Sequence, residues 1–341
     1  MSSSLGTAQK TLQDIYISHD KLVRKEKTQN NRKKNTSMKR LLLYCIMIAA
    51  STGLFAQQDP MYTHYLFNTL SINPAYAGSR GVLNLTALSR MQWVGIDGAP
   101  KTQTFVAHTP FIKYNMGLGL TVVNDRIGPV NENLFFVDYS YTINVTSNSK
   151  LSFGLKAGVD LLGVRLTSVQ IDDPADEMFL NDIKGKVLPN FGFGLYYHGD
   201  RWYAGISTPK LLENKIEGTS QYNQISQSRH YFIIGGYIFD INQDIKFKPA
   251  TLIKITSGAP IGLDLTANFM YRDKAALGVA FRRGESFGAL LEIRLTEQIR
   301  AGYAYDFMIS ELRKASGGSH EIMISYDFKF SREKMLSPRY F

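Results

Sequence analysis

The stretch FFVDYSYTINV, residues 135–145, alternates apolar and polar side chains over its whole length. Its odd-numbered residues are aromatic or aliphatic, whereas the even-numbered ones after Phe136 are Asp138, Ser140, Thr142 and Asn144. A period of two indicates a β-strand with one apolar and one polar face. At about ten residues, such a strand is long enough to cross the hydrocarbon core of a bilayer at a tilt.

The same pattern recurs along most of the chain, for example at residues 151–161 and 321–330. A soluble β-sandwich also alternates, but its strands are usually about five or six residues long. Strands of about 9–11 residues with tyrosines near their ends are typical of membrane barrels with aromatic girdles. Because every backbone polar group facing lipid must be paired within the sheet, the sheet must close. The sequence therefore predicts an all-β fold, a transmembrane antiparallel β-barrel preceded by an N-terminal signal peptide.

The pattern predicts about fourteen strands, an even number as in bacterial single-chain barrels. The predicted strand centres are Leu85, Phe105, Gly119, Tyr139, Leu155, Phe193, Gly205, Ile234, Ile253, Leu265, Gly278, Leu291, Tyr303 and Ile324. Tight turns at 146–149 and 271–274 alternate with longer connections at 167–187 and 210–228. Short turns are expected in the periplasm and long loops outside the cell.

The N-terminal region of the chain contains the features of an export signal. Met38-Lys39-Arg40 precedes an apolar run at 41–50 and the small-residue stretch ending at Ala56, so residues 38–56 are predicted to be a signal peptide. We interpret residues 1–37 as an upstream extension from a misassigned start, with Met38 as the true start; a basic arm is the alternative. The only cysteine, Cys45, lies in the signal, which excludes disulfides and thiol catalysis in the mature chain.

The charge argues against nucleic acid as a partner. Residues 1–56 carry ten Lys/Arg against three Asp/Glu, so they contribute +7 of the formal +10 and leave +3 for the remainder. A protein that neutralises many phosphates needs a larger basic excess on its folded part.

The predicted organisation continues with a lead-in at 57–80, the barrel at 81–330 and a tail at 331–341. The lead-in does not alternate and contains turn signals such as Asn73-Pro74. We expect it to pack in or beneath the barrel. Glycines within predicted strands indicate tight curvature or close approach of another segment; they are Gly117, Gly119, Gly192, Gly194, Gly235 and Gly236.

No catalytic, cofactor or metal site is expected, because the chain shows no nucleotide, phosphate or zinc signature. Ser319-His320-Glu321 cannot form a triad by sequence adjacency. The acidic segment 169–177 matches no defined calcium loop, and we interpret it as a solvated extracellular loop. Charges on the polar face could define a channel or pair within a filled lumen; they are Lys156, Asp160, Lys254, Asp264, Glu292, Arg294, Arg300 and Asp306.

Several motifs resemble a known family in the family's order. They are DPMYTHY at 59–65, INPAYAG at 72–78, RMQWVGIDGAP at 90–100, NDRIGP at 124–129, GYAYD at 302–306 and SHEIM at 319–323. The chain resembles the PorP/SprF family of type IX secretion outer-membrane proteins of Bacteroidota. The resemblance covers nearly the whole mature chain. Residues 1–37 have no counterpart in the family.

The resemblance implies a location in the outer membrane, with its lipid as surroundings. It also implies partners among other type IX secretion components and secreted proteins with a type IX C-terminal signal, including adhesins used in gliding. The family-marking or partner-binding candidates are Arg90, Trp93, Gly95, Asp97, Pro100, His320 and Glu321. A loop folded against the barrel wall would also explain the glycine and proline among them. A passive porin or small-solute channel would share every barrel feature.

Overall fold

The computed structural model describes residues 60–169, 181–217 and 224–328. The predicted extension, signal peptide and C-terminal tail lie outside these residues, as does nearly all of the acidic segment 169–177. Within the described part, no helix is long and apolar enough to cross a membrane.

The regular secondary structure of the described chain is almost entirely β. One short helix, α1 (Thr69–Ile72), and 3-10 turns at Pro74–Tyr76, Ile112–Tyr114, Leu166–Ser168 and Glu311–Lys314 interrupt it. The first strands are β1 (Leu83–Met91), β2 (Lys101–Phe111), β3 (Met116–Ile127), β4 (Val130–Thr146), β5 (Ser149–Val164), β6 (Ile183–Gly199) and β7 (Trp202–Thr208). A small hairpin follows, β8 (Lys215–Glu217) with β9 (Gln224–Ser226). The remaining strands are β10 (His230–Tyr237), β11 (Phe239–Asp240), β12 (Ile245–Thr256), β13 (Gly262–Tyr271), β14 (Ala275–Arg282), β15 (Ser286–Arg294), β16 (Ile299–Met308) and β17 (Ser319–Phe328).

The strands form a closed antiparallel barrel of fourteen. Each barrel strand pairs with its neighbours in chain order, β1 pairs with β17, and β10 pairs with both β7 and β12 across the β8–β9 insertion. The two-residue β11 continues β10 after a break at Ile238. Each of the fourteen predicted centres lies in a different barrel strand, so the predicted fold class is confirmed.

The barrel is apolar outside and polar inside. On β4, Val137 is 57% exposed, whereas its neighbours Phe136 and Asp138 are buried. An outer face of exposed aliphatic and aromatic side chains is costly in water and favourable in lipid. The residue alternation read from 135–145 therefore maps onto the two sides of the wall.

Three strands are far longer than the predicted ten residues. β4 and β6 have 17 residues and β5 has 16. Beyond Phe135, the outward positions of β4 become Asn133 and Asn131, both of which accept hydrogen bonds from Asn124 Nδ2 of β3. These strands continue past the apolar belt into a polar environment, because strand pairing needs no lipid. The predicted loop at 167–187 is correspondingly shorter, since β6 begins at Ile183.

The two ends of the barrel differ. Connections of two to four residues join the strands at one end, which we call the short-turn end, and it includes the turns at 147–148, 200–201 and 272–274. The other end, the long-loop end, carries the connections 92–100, 165–182, 209–229 and 309–318. β1 begins and β17 ends at the short-turn end.

Residues 60–80, which we call the luminal segment, lie inside the barrel. The segment bonds to inward-facing side chains on opposite sides of the ring: Ser140 Oγ on β4 donates to Ala77 O, and Ser207 Oγ on β7 donates to Ile72 O, both at 2.7 Å. On the other side, Arg282 on β14 donates to Tyr62 O at 3.3 Å. The lumen is therefore occupied by the chain itself.

The luminal segment runs along the barrel from the long-loop end to the short-turn end. Near its start, Thr63 N donates to Glu321 at the beginning of β17. Near its end, Arg80 binds Asp327 at the end of β17 through two hydrogen bonds of 3.2 and 3.0 Å. Its tyrosines, leucines and Phe67 form the main apolar cluster with inward residues such as Val106 and Phe232. Burial of one such side chain contributes roughly 1.5–3 kcal/mol.

Candidate functional site

The luminal segment fits the wall through strand glycines. A Cβ on Gly117 would overlap the carbonyl oxygen of Ala77, and a Cβ on Gly154 would overlap the backbone of Pro74 and Ala75. A Cβ on Gly194 would overlap the side chain of Asn73. In a strand, glycine is typical of sites where another backbone approaches closely. The motif at 72–78 therefore lies in a cradle built by β3, β5 and β6.

Asn73 fixes this part of the luminal segment. Its Oδ1 accepts from Ala75 N at 3.0 Å and caps the 3-10 turn Pro74–Tyr76, while its Nδ2 donates to Leu195 O on β6 at 3.0 Å. Such a capping contact is worth about 1 kcal/mol. One side chain thus sets both the turn and its attachment to the wall.

Arg90 lies at the centre of a buried ionic cluster near the long-loop end. Its guanidinium donates to Glu321 Oε2 at 3.0 Å, to Asp306 Oδ2 at 2.7 Å and to Thr63 Oγ1 at 2.8 Å. The Arg90 side chain is 1% exposed and that of Glu321 is 0% exposed. Strands β1, β16 and β17 and the luminal segment are therefore joined by one charged network.

Glu321 is held by the luminal segment as well as by Arg90. Its two oxygens also accept from Thr63 N at 2.9 Å and His64 N at 2.6 Å, and His64 Nδ1 lies 2.9 Å from Oε1. The sequence marks Arg90 and Glu321 as candidates but does not indicate that Thr63 and His64 bind the same carboxylate. The one sequence feature that points to Thr63 and His64 is their place inside the family-like motif at 59–65.

The loop 92–100 forms the long-loop rim beside this cluster. Gln92 N donates to Pro100 O at 2.9 Å and closes the loop at its base. Val94 exchanges backbone hydrogen bonds with Gly317 and Gly318 of the neighbouring loop, at 2.7 and 2.9 Å. Gly95 has a φ of 99°, a backbone conformation open to glycine and rarely adopted by other residues. The loop is therefore held against the rim by backbone bonds.

The side chains of the predicted site residues separate into three environments. Within the rim loop, Pro100 is buried, Trp93 is half-buried and Asp97 is exposed. Arg90 and Glu321 face the lumen. His320 faces outward, where Nδ1 lies 2.7 Å from the Tyr303 hydroxyl, so adjacent residues 320 and 321 stand on opposite sides of the wall. The structure brings together Arg90 and Glu321, places Trp93, Gly95, Asp97 and Pro100 in the rim above them, and separates His320.

The luminal charges are largely paired with each other. Lys156 lies 2.9 Å from Asp138, and Arg282 lies 3.1 Å from Asp264. Among the described residues, no group of three His, Cys, Asp or Glu side chains is placed to hold a metal ion. The arrangement holds a segment in place by ionic and hydrogen bonds.

Comparison with solved structures returns bacterial outer-membrane barrels of low identity. They include the KdgM porin (11% identity, TM-score 0.33, covering 72% of this chain and 99% of the porin). Omp33 of Acinetobacter baumannii has 8% identity and a TM-score of 0.43, covering 72% of this chain and 98% of its own. A Pseudomonas aeruginosa FadL homologue has 13% identity and a TM-score of 0.42, covering 82% and 96%. No curated protein matches the chain.

Comparison with protein families identifies one that spans most of the chain. The family described as type IX secretion system membrane protein PorP/SprF matches residues 54–326. This range includes the luminal segment, the rim loop and all fourteen barrel strands except the last residues of β17. The chain therefore belongs to the PorP/SprF family and is an outer-membrane β-barrel associated with type IX secretion.

Proposed function

We propose that this barrel supports the export or surface attachment of proteins that carry a type IX C-terminal signal, adhesins among them, by binding rather than by chemistry. The observation that carries this proposal is a family-matching barrel whose lumen is occupied by its own chain. A filled lumen suits a scaffold that presents binding surfaces at its two ends. Other type IX secretion components and the secreted proteins are the proposed partners.

The orientation follows from the connections. In bacterial barrels the short turns face the periplasm and the long loops face outward. We therefore orient the rim loop 92–100 toward the cell exterior and the end of β17 toward the periplasm. Trp93 and Asp97 are then the rim residues available to a secreted partner, and a half-buried tryptophan is a common interface anchor.

Deleting the gene in its host tests this proposal. We expect proteins with type IX C-terminal signals to leave the cell surface or shift to the medium, as measured by mass spectrometry of both fractions. One affected protein would indicate a dedicated partner, and many would indicate a general component. Unchanged surface and medium proteomes would refute the secretion role.

Complementation of the deletion strain separates the rim from the rest of the barrel. Asp97→Ala, which removes an exposed rim carboxylate, is expected to restore less of the surface protein than wild type. Glu311→Ala is the matched control, because Glu311 is an exposed carboxylate in the neighbouring loop. Equal rescue by both variants would contradict a partner-binding role for Asp97.

Conductance tests the alternative of a passive porin or small-solute channel. Because the luminal segment runs from one end of the barrel to the other, we expect purified wild-type protein in planar bilayers to show no steady open current. A variant lacking residues 61–72 should conduct, provided heat-modifiable migration shows that its barrel folds. A steady wild-type current that disappears when luminal residues are enlarged would favour the porin.

A further inference from the structure

Two arginines face each other at the short-turn end of the lumen. Arg294 on β15 and Arg300 on β16 are direct cross-strand partners. Both line a small cavity whose other charged residues are Asp273, Lys274 and Glu292. Side chains at directly opposite positions have Cβ atoms about 4.5–5.5 Å apart, and like charges there are destabilising. A like-charge pair kept at this spacing needs an anion.

Three carboxylates lie near this pair. Asp273 and Glu292 line the same cavity, but Asp273 is paired with Lys246 at 2.8 Å, so Glu292 is a single carboxylate for two guanidinium groups. Asp327 Oδ2 lies 3.8 Å from Arg300, but Asp327 already accepts two hydrogen bonds from Arg80 and one from Asn84. Arg294 Nε is buried and has no hydrogen-bond partner among the described residues. Such an orphaned charged donor is costly when it stays empty.

The inward charges at this end are unbalanced. Five cations against three anions leave +2, counted over Arg80, Lys246, Lys248, Arg294, Arg300, Asp273, Glu292 and Asp327. In the sequence, the residues after β17 are basic as well, with Lys329, Arg332, Lys334 and Arg339 against Glu333. The chain's own C-terminal residues are therefore a poor source of the missing negative charge.

The chemistry of the pair selects its ligand. A guanidinium presents a planar fork of donors that matches a carboxylate or phosphate in two parallel hydrogen bonds. Arg294 and Arg300 occupy inward-facing positions of β15 and β16, so a ligand approaches them from the lumen at the short-turn end rather than from the lipid-facing side of the wall. We propose that Arg294 and Arg300 form an anion site that takes an acidic side chain of a protein docking at the short-turn end. This proposal takes one thing from the proposed function, the orientation that makes the short-turn end periplasmic.

Binding of an acidic peptide to the purified barrel in detergent tests the site. The probe is fluorescein-labelled octaglutamate, followed by anisotropy at low and at physiological ionic strength. We expect Arg294→Gln and Arg300→Gln each to raise Kd at least about tenfold, with weaker wild-type binding at higher salt. Arg272→Gln is the matched control, because Arg272 lies in an exposed turn at the same end and is paired with Asp244.

A second readout separates a binding site from a structural role. Without the probe, Arg294→Gln should leave the thermal unfolding temperature unchanged or raise it, because the substitution relieves like-charge repulsion. A lowered unfolding temperature would show that the pair is structural and would overturn the proposal. Equal peptide affinity in Arg294→Gln and wild type would also overturn it.

Inorganic phosphate distinguishes the source of the anion. Displacement of the peptide only by phosphate well above the peptide concentration supports a polypeptide carboxylate as the ligand. Phosphate binding to the arginine pair without peptide binding would overturn the acidic-protein occupant. None of these measurements depends on secretion. A negative result would overturn the anion site and leave the proposed function untouched.

Discussion

Arg90→Met is expected to destabilise the barrel severely, by about 3–5 kcal/mol, because it removes one partner of a buried ion cluster. Glu321 and Asp306 would remain buried in the lumen without the guanidinium that binds both of them. The Thr63 hydroxyl would also lose its donor from Arg90 and with it part of the attachment of the luminal segment. Thermal unfolding in detergent, followed by the heat-modifiable shift in gel migration, measures the loss.

Two comparisons establish that the cost comes from the uncompensated carboxylates. Arg201→Met removes an arginine paired with Asp240, but at an exposed site where the arginine side chain is 59% exposed, and should cost at most about 1 kcal/mol. Combining Arg90→Met with Glu321→Gln and Asp306→Asn should recover much of the lost stability, since the buried charges then disappear together. A variant Arg90→Met as stable as Arg201→Met would show that the cluster contributes no net stability.

The barrel could be predicted from the sequence because the alternation that defines each strand lies within a short stretch of the chain. Alternation within 135–145 identifies the lipid and luminal faces without reference to any other strand. The same parity placed Lys156, Asp264 and Asp306 on the inward face, where the structure finds them buried and paired. Strand ends were predicted less well, since pairing in β4–β6 continues after the apolar pattern stops.

The partners within the lumen could not be predicted, because they depend on closure of the ring. Arg90 and Glu321 are 231 residues apart and meet only because β1 pairs with β17. The luminal segment has no periodicity that would indicate its path. Thr63 and His64 therefore carried no local signal of the carboxylate that they bind.

Gly154→Ala is the second substitution with a large expected effect. The added methyl group would lie against the Ala75 nitrogen, well inside the 3.0 Å that real Cβ contacts keep. Both the wall and the Pro74–Tyr76 turn are backbone at this point, so no flexible side chain can yield. Overpacking of this kind costs about 1–3 kcal/mol. We expect the luminal segment to separate from β5 while the strands remain paired.

Cysteine labelling distinguishes release of the segment from unfolding of the barrel. In a Thr69→Cys background the new thiol lies in the buried part of the luminal segment, where Thr69 is 3% exposed. Adding Gly154→Ala should speed maleimide labelling about tenfold or more, because each 1.4 kcal/mol changes an opening equilibrium about tenfold. Gly163→Ala on the same strand is the control, since a Cβ there meets its nearest atom at 3.8 Å. Equal labelling in the two alanine variants would mean that the glycine cradle does not hold the segment. Faster labelling in Gly154→Ala with unchanged heat-modifiable migration would mean that the barrel strands fold independently of the luminal segment. The segment would then be held in the lumen by its close packing against the strand glycines.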